Sequence, residues 1–224
     1  MRAHIRRLTA LPLLLVLAIA STFAPAPTAA LVTNGYTRDV YFSSGYERQV
    51  DSRTCTAAGV AMMMNFIARR DLGLNQLAIL RFEQPRDALN DRVQRGSDPL
   101  GWAKAATYYS RYTGRPTIYA WEAYTTEYAA LKVAAARIAR FGKPVGLVVR
   151  HGRHAVVMTG FTASRNPNRG DFRLRSVTVS DPYGARHVWY PAAYSPLDRY
   201  LELDATTTYD RLWYSKFIIV APRT

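Results

Sequence analysis

The chain changes its pattern at Pro144, and that change constrains the fold more than any other feature. Before it, apolar residues recur at helical spacing. Val60, Met63, Met64 and Ile67 follow Asp51, Ser52 and Thr54, whose side chains suit a helix start, and Asp71-Leu-Gly73 is expected to close the helix. Leu77 to Phe82 reads as a short second helix, and the polar stretch through Asp98-Pro99 as a loop. Trp102 to Tyr112 reads as a helix ended by Gly114 and Pro116, and Thr117 to Trp121 as a short strand. Glu127 to Phe141 is alanine-rich, with Leu131, Ala135 and Ile138 on one face and Gly142 at the C-cap position.

After Pro144 the runs become short and β-branched or aromatic: Val145–Val149, Ala155–Phe161, Phe172–Ser180, His187–Tyr190 and Phe217–Ala221, separated by Gly, Asn and Pro turns. Helices first and an antiparallel-type sheet second is the pattern of an α+β fold. Residues 31–48, with Tyr36, Tyr41, Phe42 and Tyr46, read as an extended lead-in with short strands.

Residues 1–30 are set apart from this fold. Arg2, Arg6 and Arg7 precede an apolar run from Leu11 to Ala20, and Thr28-Ala29-Ala30 supplies small residues for cleavage. That is the layout of a secretory signal peptide, with a retained N-terminal anchor as the alternative, and it implies a secreted protein with no membrane span after cleavage. The remaining residues 31–224 suit one domain with a sizeable core. Loss of the three arginines lowers the formal charge from +14 to +11. The cations are scattered, so they suit a solvated surface or adhesion to an anionic cell wall or surface. No helix-turn-helix, zinc finger or aromatic-basic repeat points to nucleic acid.

An exported chain normally pairs its cysteines, but this one has a single cysteine, Cys55. An unpaired thiol outside the cell is either buried and inert or used chemically. A helix starting near Thr54 puts Cys55 in its first turn, where free amide N–H groups and the helix dipole favour thiolate. A cysteine nucleophile needs a base and a group to orient it. Beyond residue 30 the histidines are His151, His154 and His187. His154 heads the run that ends at Phe161, a rigid strand mouth, whereas His151 sits in the preceding turn and His187 follows a loop. Asp181 ends the run Ser176–Asp181 and is fixed by Pro182; pairing of Phe172–Ser180 with Ala155–Phe161 brings it near His154. Gln49, six residues before Cys55, offers a side-chain amide that, with the Cys55 N–H, suits a tetrahedral oxyanion. One cysteine and three scattered histidines make no ligand-spaced cluster, so no metal or other cofactor is expected.

Taken together, these residues resemble the bacteriocin-leader-processing peptidases of the papain clan, above all their exported stand-alone relatives. The resemblance runs from about Tyr46 to Val220. It rests on Gln49 followed six residues later by Cys55, on Gly142-Lys-Pro-Val145, on His154 through Gly160-Phe161, on Asp181-Pro182 and on the closing run Trp213–Val220. It implies a papain-like α+β fold, with an N-terminal helical part carrying the Cys packed on a C-terminal antiparallel sheet carrying His and Asp. It also implies cysteine-peptidase chemistry on a peptide or protein substrate. Many relatives continue Cys-Gly-Pro-Ala after the nucleophile; this chain has Cys55-Thr-Ala-Ala, which alters the wall beside the thiol. Two other readings remain open: a catalytically silent binding module on the same fold, and a cell-wall amidase or transglutaminase-like acyl transferase using the same triad.

Overall fold

The computed structural model describes residues 35–88, 96–201 and 208–223. The expected signal segment lies outside them. Among the described residues, five helices, α1 (Cys55–Ala68), α2 (Gln76–Glu83), α3 (Pro99–Tyr109), α4 (Glu127–Phe141) and α5 (Thr208–Trp213), accompany seven strands. The strands are β1 (Tyr36–Asp39), β2 (Tyr119–Tyr124), β3 (Val145–Val149), β4 (His154–Ala163), β5 (Leu174–Ser180), β6 (Val188–Pro191) and β7 (Phe217–Pro222). They form one antiparallel sheet in the order β2-β7-β3-β4-β5-β6. β3 pairs with residues 154–158 of β4, and β1 pairs antiparallel with residues 160–163.

Alternation along the strands divides the core in two. Val148, Ala155, Val157, Ile218 and Val220 face one cluster with α1 and α3. Leu147, Val149, Val156, Met158 and Ile219 face the other, which contains Leu131, Ala135 and Ile138 of α4. The sheet is therefore covered on both faces, α4 lying opposite α1.

The helix carrying Cys55 is not amphipathic. Every residue of α1 except Ala68 is buried, because α2, α3 and the sheet enclose it. The methionines Met62, Met63 and Met64 are wholly buried packing residues. The helix ends earlier than the Asp71-Leu-Gly73 segment suggested. Arg69 takes a left-handed conformation (φ 57°) and donates its N–H to the Asn65 carbonyl, while Asn65 Oδ1 accepts from Leu72 N at 2.9 Å. α3 begins earlier than expected. Asp98-Pro99 is its cap and first residue, not loop: Asp98 Oδ1 accepts from the N–H groups of Leu100 and Gly101 at 2.8 and 3.0 Å. No helix among the described residues is long and apolar enough to cross a membrane.

Candidate active site

The first residue of α1 is Cys55, 8 % exposed, on the wall of a cleft of about 230 Å³. The helix start is left open in an unusual way. Thr54 occupies the N-cap position, but its hydroxyl donates to the Asp51 carbonyl and accepts from Asp51 N, both at 3.1 Å, and makes no bond to the helix. The first amide N–H groups of α1 are thus free of a side-chain cap. Those of Cys55 and Thr56, with the N–H of Ala155 on β4, favour the thiolate. Burial outweighs them: helped by the nearby Glu83 carboxyl, it pushes the Cys55 thiol up to about 11. Burial thus opposes the thiolate that the helix-start position favours.

His154 opens β4 and lines the same cleft, 4 % exposed. The turn before it depends on Gly152, whose φ is 100° and whose Cβ, if present, would stand 2.9 Å from the Tyr200 ring, another wall of the cleft. His154 Nε2 lies 2.7 Å from Asp181 Oδ1. Burial works against ionisation of Asp181, but the bonds from His154 and from Tyr183 N (2.8 Å), with Arg150 nearby, hold its carboxyl below the usual range. An ionised carboxylate only accepts, so the bond assigns the ring proton to Nε2 and leaves Nδ1 as the basic nitrogen. The Tyr183 ring lies edge-on to the imidazole, with centroids 5.4 Å apart.

The Asp181 turn is tied to the segment leading into α1. Tyr46 Oη donates to the Asp181 carbonyl at 2.9 Å, and Gln49 N donates to the Pro182 carbonyl at 3.0 Å. The Gln49 side-chain amide donates to the Asp51 carbonyl at 2.6 Å, and its Oε1 is buried without a partner. Gln49 is not among the residues lining the cleft. The structure thus brings Cys55 and His154 to one cleft, bonds Asp181 to His154, and places Gln49 beside the Asp181-Pro182 turn. His151 (φ 60°) is exposed in the turn before β4, and His187 pairs with Asp39 at 2.8 Å while stacked on Tyr41.

Several cleft residues escaped the sequence reading. Trp102 of α3 and Tyr200 form apolar walls, and Asp87, Ser97 and Asp98 form an acidic one. Asp87 Oδ1 accepts from Ser97 Oγ at 2.6 Å and Asp98 N at 3.1 Å. Burial and the Asp98 carboxylate push Asp87 up to about 8. Behind them Glu83 is wholly buried. Its Oε2 accepts from Thr56 Oγ1 at 2.8 Å, Oε1 has no partner, and burial raises its pKa well above the usual range. Asp-Pro as a helix start was the one legible signal, since it predicts a cap at Asp98. Among the described residues no group of His, Cys, Asp and Glu is arranged to hold a metal ion.

No protein-family model matches the chain, and no curated protein matches it in sequence. Among solved structures it is similar to UfSP from C. elegans, with a TM-score of 0.51 and 11 % identity over 84 % of this chain and 34 % of that one. The chain spans about a third of that protein's length. The likeness is one of fold, and the fold is α+β and papain-like.

Proposed function

We propose that the protein is a secreted cysteine hydrolase that cleaves a peptide or isopeptide bond. In its motifs the chain resembles the exported bacteriocin-leader-processing type. One observation carries the reading: Cys55 stands at an uncapped helix start in the cleft that also holds His154, whose far nitrogen is bonded to Asp181.

With burial opposing the thiolate, His154 acts as general base during attack. Nδ1 takes the Cys55 proton as Sγ bonds to the scissile carbonyl carbon, and Asp181 stabilises the imidazolium. The N–H of Cys55 and the amide of Gln49 are assigned to the oxyanion. The imidazolium then gives its proton to the leaving amine as the C–N bond breaks. Water, deprotonated by the same nitrogen, clears the thioester and regenerates the thiol. Secretion follows from the signal-type layout of residues 1–30. The excess of basic residues supports residence at an anionic wall or surface.

A second reading, a binding module that has kept the fold without the chemistry, is favoured by the raised thiol. Labelling with peptidyl vinyl sulfones, read at Cys55 by mass spectrometry, separates the two. The hydrolase reading expects labelling that depends on His154, and cleavage within a quenched fluorescent peptide pool. Labelling no faster than in His154→Ala, with no cleavage, leaves the binding module.

A further inference from the structure

A second groove, of about 710 Å³, runs along α2 and α3 and the 3-10 turns that follow them, Gln84–Arg86 and Ser110–Thr113. Its walls include three cations, Arg86, Lys104 and Arg111, and no acidic residue. Among the described residues, no carboxylate lies within ion-pair distance of any of the three.

Two of these cations are held in place. The Arg86 guanidinium lies 3.7 Å over the Phe82 ring and donates to the Phe82 carbonyl at 2.8 Å. Arg111 lies 3.4 Å over Tyr108 and donates Nε–H to the Tyr108 carbonyl at 2.9 Å. The Phe82 and Tyr108 rings are themselves 4.3 Å apart, which ties the two arginines into one stacked assembly. Each guanidinium keeps N–H groups to spare, and its orientation is already fixed, so pairing with a carboxylate costs little further ordering. The aromatic faces are occupied by guanidinium and by each other, which disfavours stacking of a sugar ring. Ile118, 54 % exposed, adds an apolar wall suited to a peptide side chain.

Arg86 lines this groove and Asp87, the next residue, lines the catalytic cleft. We propose that the groove is an exosite for an acidic stretch of the polypeptide substrate, whose carboxylates pair with Arg86, Lys104 and Arg111. That the occupant is a substrate rests on the peptide-hydrolase reading; the affinity for an acidic chain does not require the thiol. Groove and cleft are thus lined by adjacent residues at the end of the Gln84–Arg86 turn.

The test is the binding of fluorescein-labelled deca-glutamate to the full chain by anisotropy at physiological salt. Arg86→Gln/Lys104→Gln/Arg111→Gln is compared with a charge-matched control, Arg165→Gln/Arg169→Gln/Arg175→Gln, at exposed positions elsewhere. The groove variant is expected to bind about tenfold more weakly, and the control less than about twofold. Lys104→Gln alone, which disturbs neither stacking nor a carbonyl bond, is expected to weaken binding about threefold. Equal losses in the two triple variants, or no effect of Lys104→Gln, overturn the exosite. So does a groove that binds inorganic polyphosphate but not deca-glutamate. Vinyl sulfone labelling of Cys55 in the same samples keeps the two ideas apart. Groove-dependent binding without labelling removes the hydrolase and leaves an acidic-chain site; labelling without groove-dependent binding does the reverse.

Discussion

Nε2 of His154 lies 2.7 Å from Oδ1 of Asp181, and the antiparallel pairing of β4 with β5 holds both ends of that bond. Val157 faces Ser180 across the ladder, so the start of one strand and the end of the other meet at the cleft. With Asp181 ionised, the bond places a ring proton on Nε2.

The roles proposed for His154 and Asp181 are separable by labelling kinetics. His154→Ala should slow vinyl sulfone labelling of Cys55 on the order of 10²–10⁴-fold. Asp181→Asn should slow it less, because the imidazole remains but loses its carboxylate. Equal rates in all three proteins would remove His154 from the chemistry.

The proposed mechanism gives Gln49 to the oxyanion, which requires its amide to leave the Asp51 carbonyl that it bonds in the structure. Gln49→Ala is expected to lower peptide turnover by about 10²–10³-fold while leaving reaction of Cys55 with iodoacetamide unchanged. A variant that turns over peptide normally would show that the amide serves only to hold the Asp51 carbonyl.

Gly146 of β3 lies against the wall of the site. A Cβ there would stand 2.4 Å from Cη2 of Trp102, which is wholly buried and lines the cleft. Gly146→Ala should destabilise the fold by about 1–3 kcal/mol, read as a lower urea midpoint. An unchanged midpoint would mean that the indole shifts freely.

Asp87 makes stability depend on pH. Its folded carboxyl, raised from 3.8 to about 8 by burial and by Asp98, binds a proton more tightly than the unfolded chain does. Its contribution is therefore fully present below about pH 4 and is lost as pH rises to about 8. Asp87→Asn mimics the protonated form, so it should flatten the decline of Tm across that window. A slope identical to that of the parent protein would assign the dependence to other groups.

Some of this was legible in local pattern. The α+β order follows from the change of periodicity at Pro144, and the end of α4 from Gly142, which adopts the left-handed conformation at φ 61°. A stop such as that of α1 was not legible, because it depends on Asn65 reaching forward to Leu72 instead of on a glycine. The face that α4 covers was equally hidden. Periodicity shows that a helix has an apolar stripe, not which side of the sheet receives it.

The sequence by itself determined the element order as far as β6, though not α5, and the positions of Cys55 at a helix start and His154 at a strand mouth, since each depends on residues within a turn or two. Only the tertiary structure decided which influences act on the thiol. Whether Cys55 is thiol or thiolate depends on burial by α2, α3 and the sheet, and on Glu83, 28 positions further along the chain. The acidic wall likewise comes from Asp87 and Asp98, which are brought together by the cap of α3. Electrostatic free energies fall off with distance in space and with exposure to water, and neither can be read from position along the chain.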